Sequence, residues 1–367
     1  MHILFTIIVF LILVFILVLV HELGHFCLAK LCGIKVLRFS IGFGKPLWKT
    51  CDKQGTEYAL APIPLGGYVK LLDSREVPVP IAELTQAFDQ RPLYQRFIVV
   101  LAGPLFNVIA AVLAFWIVFT VGITYVKPIV AGVTPQSPAA LAGMQPGEQI
   151  LAIDNRLTRH WAAVSMALVT HYGEKGLLSV TVLEPGPNPQ IRQLKLNLQS
   201  WHLDVLKPNP ISSLGIKPYM LPPKQQWPVH LLQIRKENLL TAFASAWQET
   251  YYFSEFNFIV LYKMLIGIIS WHSLGGPLSI MQAAVLAAQQ GFIVALNFLA
   301  LLSISIAIIN ILPIPGLDGA QLIYQLIELI RGRPVSLAVQ VLAFRLGLII
   351  LVLFMLQVVL NDLQRLG

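Results

Sequence analysis

Two histidines and a glutamate, His21, Glu22 and His25, stand in the sequence His-Glu-Leu-Gly-His. Histidines four residues apart lie on one face of a helix and can bind one metal ion, and the adjacent glutamate is a candidate general base. The alternative is a pair of ordinary core histidines, because a bare His-Glu-x-x-His pattern also arises by chance. The spacing therefore raises the hypothesis of a catalytic zinc site with Glu22 as its base.

The motif follows directly on a charge-free apolar run, within residues 4–31. An ionised side chain at the centre of a bilayer costs about 2.5 to 3.5 kcal/mol, so polar groups at such a depth need a function or a partner. This location favours an intramembrane metal site over two core histidines. A cleaved signal peptide is disfavoured, because the run lacks a basic N-terminal region and a small-residue cleavage site.

The composition is that of a polytopic membrane protein. Of 367 residues, 56% are hydrophobic and only 12% charged, and the mean hydropathy is +0.72. The net charge of +8 could indicate nucleic-acid binding, but no basic run or aromatic-basic interleaving is present, so we expect none. Residues 26–97 hold ten Lys and Arg while residues 1–20 hold none, which predicts an external N-terminus followed by a cytoplasmic loop. The three cysteines lack metal or disulfide spacing.

Four transmembrane helices are predicted, at residues 4–31, 98–122, 292–312 and 335–360. The amphipathic stretch 237–270 is interrupted by Lys263, and its apolar part is too short to span, so we expect an interfacial helix. Both termini and the segment between the second and third spans then lie on the outer side, and the motif lies towards the cytoplasm.

Residues 34–72 change to a β pattern, with hairpin-turn chemistry at residues 52–55. The apolar stretch 61–68 contains two prolines together with Gly66, Gly67 and Tyr68. One interpretation is an ordinary surface loop. The other is a membrane re-entrant strand whose edge pairs with an extended substrate, with Gly66, Gly67 and Tyr68 as substrate-binding residues.

A third ligand is needed, because catalytic zinc takes three protein ligands and leaves a fourth position open. The first and third spans both run inward, so Asp318, just after the third span, reaches about the depth of His21. Asn310 could donate to a substrate carbonyl or the oxyanion, or serve only in helix packing, and Pro313 and Pro315 keep the backbone unwound. These three residues are therefore also predicted to bind substrate. In the second span, Asn107 serves close packing or positions the active-site helix.

The stretch SPAALAGMQPGEQILAIDN resembles a bacterial PDZ domain. This resemblance implies binding of peptide C-termini by strand addition, although a steric gate is the alternative. The predicted organisation is a catalytic membrane part (1–122), a PDZ-like domain (127–201), a proline-rich linker (202–236), an amphipathic helix region (237–290) and a second catalytic membrane part (291–367).

HELGH in the first span, AGPLFN in the second and NILPIPGLDG after the third together resemble the site-2 protease family, of the bacterial sigma-E-regulating type. The resemblance implies zinc on His21, His25 and Asp318, catalysis by Glu22, and an inner-membrane location with the PDZ side periplasmic. It implies single-pass membrane substrates, such as anti-sigma factors or signal-peptide remnants. Such relatives usually carry two PDZ domains, and this chain has room for one. A proton-relay transporter and an inactive PDZ-bearing adaptor remain as alternatives.

The predicted fold class is thus a polytopic α-helical membrane protein with about four transmembrane helices, a re-entrant β element and one inserted α+β PDZ-like domain.

Overall fold

The computed structural model describes residues 2–199, 201–202, 209–219, 227–273 and 275–366. Several prolines of the predicted linker, Pro208, Pro222 and Pro223, lie outside these ranges. The helices are α1 (His2–Leu31), α2 (Leu93–Val121), α3 (Pro138–Leu141), α4 (Trp161–Thr170), α5 (Pro210–Ser213), α6 (Leu239–Leu265), α7 (Pro277–Gln289), α8 (Phe292–Ile311), α9 (Asp318–Arg331) and α10 (Leu337–Leu366). The strands are β1 (Val36–Phe43), β2 (Trp48–Cys51), β3 (Glu57–Leu60), β4 (Ile63–Leu71), β5 (Ile123–Val126), β6 (Val130–Val133), β7 (Gln149–Ile153), β8 (Arg156–Leu157), β9 (Leu177–Leu183), β10 (Ile191–Asn197), β11 (Ile216–Pro218) and β12 (Leu232–Arg235).

Four helices among the described residues are long and apolar enough to cross a membrane. They cover Leu4–Leu31, Leu93–Val121, Phe292–Ile311 and Leu337–Gln364, which confirms the four predicted spans. The second helix begins five residues earlier than the predicted span, directly after Pro92, because a polar first turn of a helix carries no hydropathy signal. Helix α6 does not qualify as a span, and its interfacial placement stays a prediction.

The first compact unit comprises Met1–Val118, Leu240–Ser254 and Gly276–Asp362. It holds a four-stranded sheet in the order β2-β3-β1-β4, in which β1 is parallel to β3 and antiparallel to β4. The β pattern read from residues 34–72 is therefore present. Within the part of the chain described here, β4 pairs with β1 alone, so its other edge is unpaired.

The predicted turn joins β2 to β3 in an antiparallel hairpin, and it is closed by the side chain of Asp52. Asp52 Oδ1 accepts hydrogen bonds from the backbone N–H groups of Gln54 and Thr56, each at 2.9 Å. These bonds, that of Thr56 first, hold the pKa of Asp52 below its usual value of 3.8. An aspartate at this position thus closes its own turn.

The second unit comprises Phe119–Leu239, Glu255–Gly275 and Leu363–Gly367. It contains a sheet in the order β10-β9-β7-β8 and two further strand pairs, β11 with β6 and β12 with β5. Side chains from β7, β9 and β10, among them Ile150, Val182 and Leu196, form a core with α4. Ser137 and His160 cap the N-termini of α3 and α4.

The segment predicted to be a linker contains ordered structure where it is described. Leu214 and Ile216 are 0% and 1% exposed in the core of the second unit, and β11 pairs with β6. Gly215 has φ of +84°, and a Cβ there would lie 2.1 Å from Ser137 Oγ, so only glycine permits this approach. The sequence does not indicate this strand for two reasons. Its three residues are too few to give an alternating pattern, and the surrounding prolines are typical of irregular chain.

Candidate metal centre and active site

The imidazoles of His21 and His25 face one another across one turn of α1. Their Nε2 atoms are 3.2 Å apart. Asp318 Oδ2 lies 3.0 Å from His21 Nε2 and 3.4 Å from His25 Nε2. The structure therefore brings together, from helices distant in the chain, the two histidines and the aspartate that the sequence predicted as partners.

Asp318 is the first residue of α9, and the turn before it places its carboxylate. Helix α8 ends at Ile311, and Leu312 is extended, with ψ of 146°. A Cβ on Gly319 would lie 2.1 Å from the carbonyl oxygen of Leu312. The glycine of the Leu-Asp-Gly sequence therefore lets α9 begin against the end of α8, which sets the position of the aspartate.

Helix α2 supports both imidazoles from behind. His25 Nδ1 donates to the carbonyl oxygen of Val99 at 2.8 Å, and Asn107 Nδ2 lies 3.3 Å from His21 Nδ1. A Cβ on Gly103 would lie 2.3 Å from His25 Nε2 and 2.8 Å from His21 Cε1. Glycine at this position is what allows α2 to approach the two rings.

Glu22 is 8% exposed and lines a cavity of about 970 Å³ together with both histidines and Asp318. Strand β4 packs directly against it, since a Cβ on Gly67 would lie 2.8 Å from Glu22 Cγ. Five of the six predicted substrate-binding residues line this cavity: Gly66, Gly67, Tyr68, Asn310 and Pro315. The sixth, Pro313, is not among its lining residues in the described part of the chain.

Comparison with known proteins adds an independent finding to this geometry. The model of peptidase family M50 matches residues 9–354. The chain belongs to this family. This M50 peptidase is 34% identical to the regulator of sigma E protease of Haemophilus influenzae, over 97% of the chain and 98% of that relative. It is also 34% identical to the regulator of sigma-E protease RseP of Escherichia coli, over 96% of each.

Membership of family M50, the site-2 protease family, confirms the resemblance read from the sequence and the predicted class of zinc metalloprotease. The three side chains fit such an ion. Tetrahedral zinc with bonds near 2.1 Å places its ligand atoms about 3.4 Å apart, and the three separations here are 3.0, 3.2 and 3.4 Å. Asp318 Oδ2 is also buried, so a cation held there would compensate a carboxylate that is removed from water.

One polar contact of the M50 site escaped the sequence analysis. The buried Arg96 of α2 and the partly buried Glu328 of α9 form a bidentate ion pair, with N···O distances of 3.0 and 2.6 Å. Both residues line the cavity. The positions of charged residues in the sequence predict the membrane topology but not this ion pair. The pairing of residues so far apart in the chain depends on how two helices pack. The pair ties α9, which carries Asp318, to the helix that supports both histidines.

Proposed function

We propose that this M50 peptidase is an intramembrane endopeptidase in which His21, His25 and Asp318 bind zinc and Glu22 is the general base. The observation that carries the proposal is the convergence of the three ligand atoms beside Glu22 in a single cavity. Zinc, when bound, supplies Lewis acidity towards a peptide carbonyl and water. Glu22 takes a proton from the attacking water and delivers it to the leaving amine, a contribution of about 10²- to 10⁴-fold.

The substrate binds as an extended strand along the unpaired edge of β4. The contact of Gly67 with Glu22 supports this binding mode, because a peptide paired with β4 would lie beside the proposed base. Gly66, Gly67 and Tyr68 contact the substrate backbone. Asn310 donates to a substrate carbonyl, while Pro313 and Pro315 keep residues 312–317 out of helical conformation.

The substrates are single-pass membrane proteins, either an anti-sigma factor or signal-peptide remnants. The names of the relatives, regulators of sigma-E, support the first of these for this chain. An extended strand at the zinc requires that a substrate helix unwind locally, so a substrate with helix-breaking residues near the scissile bond is cleaved fastest.

The enzyme is placed in the inner membrane with both termini outside and the active site towards the cytoplasmic face, following the distribution of Lys and Arg. The segment 127–201 is a single PDZ-like domain that takes peptide C-termini. The sheet strands β7, β9 and β10 together with helix α4 support this assignment. A chain of 367 residues with this arrangement has room for one such domain.

The test uses purified protein, a tagged single-span substrate and the variant Glu22→Gln. Wild type is expected to cleave, and Glu22→Gln to bind zinc stoichiometrically without cleaving. Equal cleavage by both proteins would refute the role of Glu22. Zinc binding without cleavage by either protein, across several substrates, would leave an inactive adaptor instead of a protease. His21→Ala and Asp318→Ala are expected to lose zinc, measured by metal analysis.

A further inference from the structure

The contact between Asn107 of α2 and the imidazole of His21 has no role in the proposed chemistry. Asn107 is 0% exposed, and its Nδ2 lies 3.3 Å from His21 Nδ1. Its Oδ1 is buried without a hydrogen-bond partner in the described residues. Its backbone oxygen accepts a hydrogen bond of 2.8 Å from Ser303 Oγ, which fixes this turn of α2 against α8. A buried amide in an apolar helix is costly unless it is used.

When His21 binds a metal ion, the N–H group of its imidazole needs a hydrogen-bond acceptor nearby. A neutral imidazole carries one proton, so a ring that binds metal through Nε2 keeps the proton on Nδ1. His21 Nε2 faces Asp318 and His25, which leaves Nδ1 as the donor. His25 Nδ1 has the carbonyl oxygen of Val99 as its acceptor. For His21 Nδ1, the side chain within reach is that of Asn107.

We propose that Asn107 is a positioning residue whose amide oxygen accepts the Nδ1 proton of His21 when metal is bound. The inference rests on the proposed zinc site. A half-turn of the amide exchanges its oxygen and nitrogen at nearly the same positions. With the nitrogen towards Nδ1, Nδ1 acts as the acceptor, and the proton of His21 lies on Nε2. With the oxygen towards Nδ1, Nε2 presents its lone pair to the ion.

Two variants of similar volume test whether the side chain at position 107 must accept a hydrogen bond from His21. Asn107→Leu removes both polar atoms, and we expect the zinc dissociation constant to rise about 10- to 100-fold, the usual effect of losing a partner of a metal-bound histidine. Asn107→Asp keeps an acceptor, and its dissociation constant is expected to equal or fall below that of wild type. Both constants are measured on the purified full chain by competition with a chromophoric chelator.

The matched control is Ser303→Ala, which removes the hydrogen bond to the backbone oxygen of Asn107 and leaves the side-chain amide of Asn107 in place. Its dissociation constant is expected to match wild type. Wild-type affinity in Asn107→Leu, or a tenfold loss in Asn107→Asp, would overturn the inference, and the second result decides the matter even if Asn107→Leu does not fold. Stoichiometric zinc in His21→Ala would instead refute the underlying metal site.

Discussion

Substituting Gly103 by alanine tests how tightly α2 defines the site. The added Cβ would lie 2.3 Å from His25 Nε2, whereas carbon and nitrogen atoms not bonded to each other sit about 3.5 Å apart. The ring must therefore move by about 1 Å, well beyond the roughly 0.2 Å that zinc–ligand distances tolerate. His25 cannot simply swing away, because its Nδ1 is bound to Val99.

We expect Gly103→Ala to lose at least about 100-fold in zinc affinity, as ångström-scale misplacement does for catalytic groups. Overpacking should also lower the free energy of unfolding by about 1 to 3 kcal/mol. The assay combines chelator competition, thermal denaturation in detergent and cleavage of a tagged substrate. The control is Gly176→Ala, since a Cβ there meets nothing within 4 Å. A Gly103→Ala protein with wild-type zinc affinity would refute the reasoning.

Three further substitutions probe polar contacts away from the zinc ligands. Arg96→Met should lower the free energy of unfolding by about 1 to 3 kcal/mol, because it removes two charge-assisted hydrogen bonds from the partly buried carboxylate of Glu328, and the double variant Arg96→Met/Glu328→Leu should recover part of this loss; a stable single variant in thermal denaturation would contradict this. Asp362 accepts hydrogen bonds from the first turn of α7, so Asp362→Ala should cost about 1 to 2 kcal/mol with zinc affinity unchanged, and altered affinity would argue against a purely capping role. The pKa of Asp52 is lowered in the folded state, mainly by the N–H of Thr56, so its contribution is fully present above about pH 4 and disappears as the pH falls through the lower, folded-state value. Asp52→Asn should therefore lower the melting temperature at pH 5 and lower it progressively less as the pH falls below 4, and a difference that stays constant with pH would refute the assignment.

Much of the fold could be predicted because its signals are local. The charge-free spans, the turn at Asp52 and the helical spacing of His21 and His25 each depend on residues close together in the chain. The prediction of Asp318 as a ligand depends on residues far apart in the chain, because the directions of the first and third spans place Asp318 at about the depth of His21. The structure has its carboxylate beside both imidazoles, while its role as a ligand stays a prediction until metal binding is measured.

The rest of the site depends on how each helix is rotated about its axis, which the hydropathy pattern of these helices does not indicate. Helices α1 and α8 are apolar over most of their surface and have no single apolar face, so hydropathy does not say which face meets α2. The contacts of Asn107 with His21 and of Arg96 with Glu328 follow from that packing. The short strands β11 and β12 were missed for a different reason, since the prolines around them suggest irregular chain.

The order of the proposed ligands along the chain has a consequence for biogenesis. The two imidazoles enter the membrane with the first helix, whereas the carboxylate of Asp318 follows only after α8 has been inserted. On the proposed ligand set, a ribosome-bound chain therefore carries an incomplete metal centre until residues 119–275 have been synthesised and α9 has begun. A zinc ion bound before that point would have only His21 and His25 as ligands from this set.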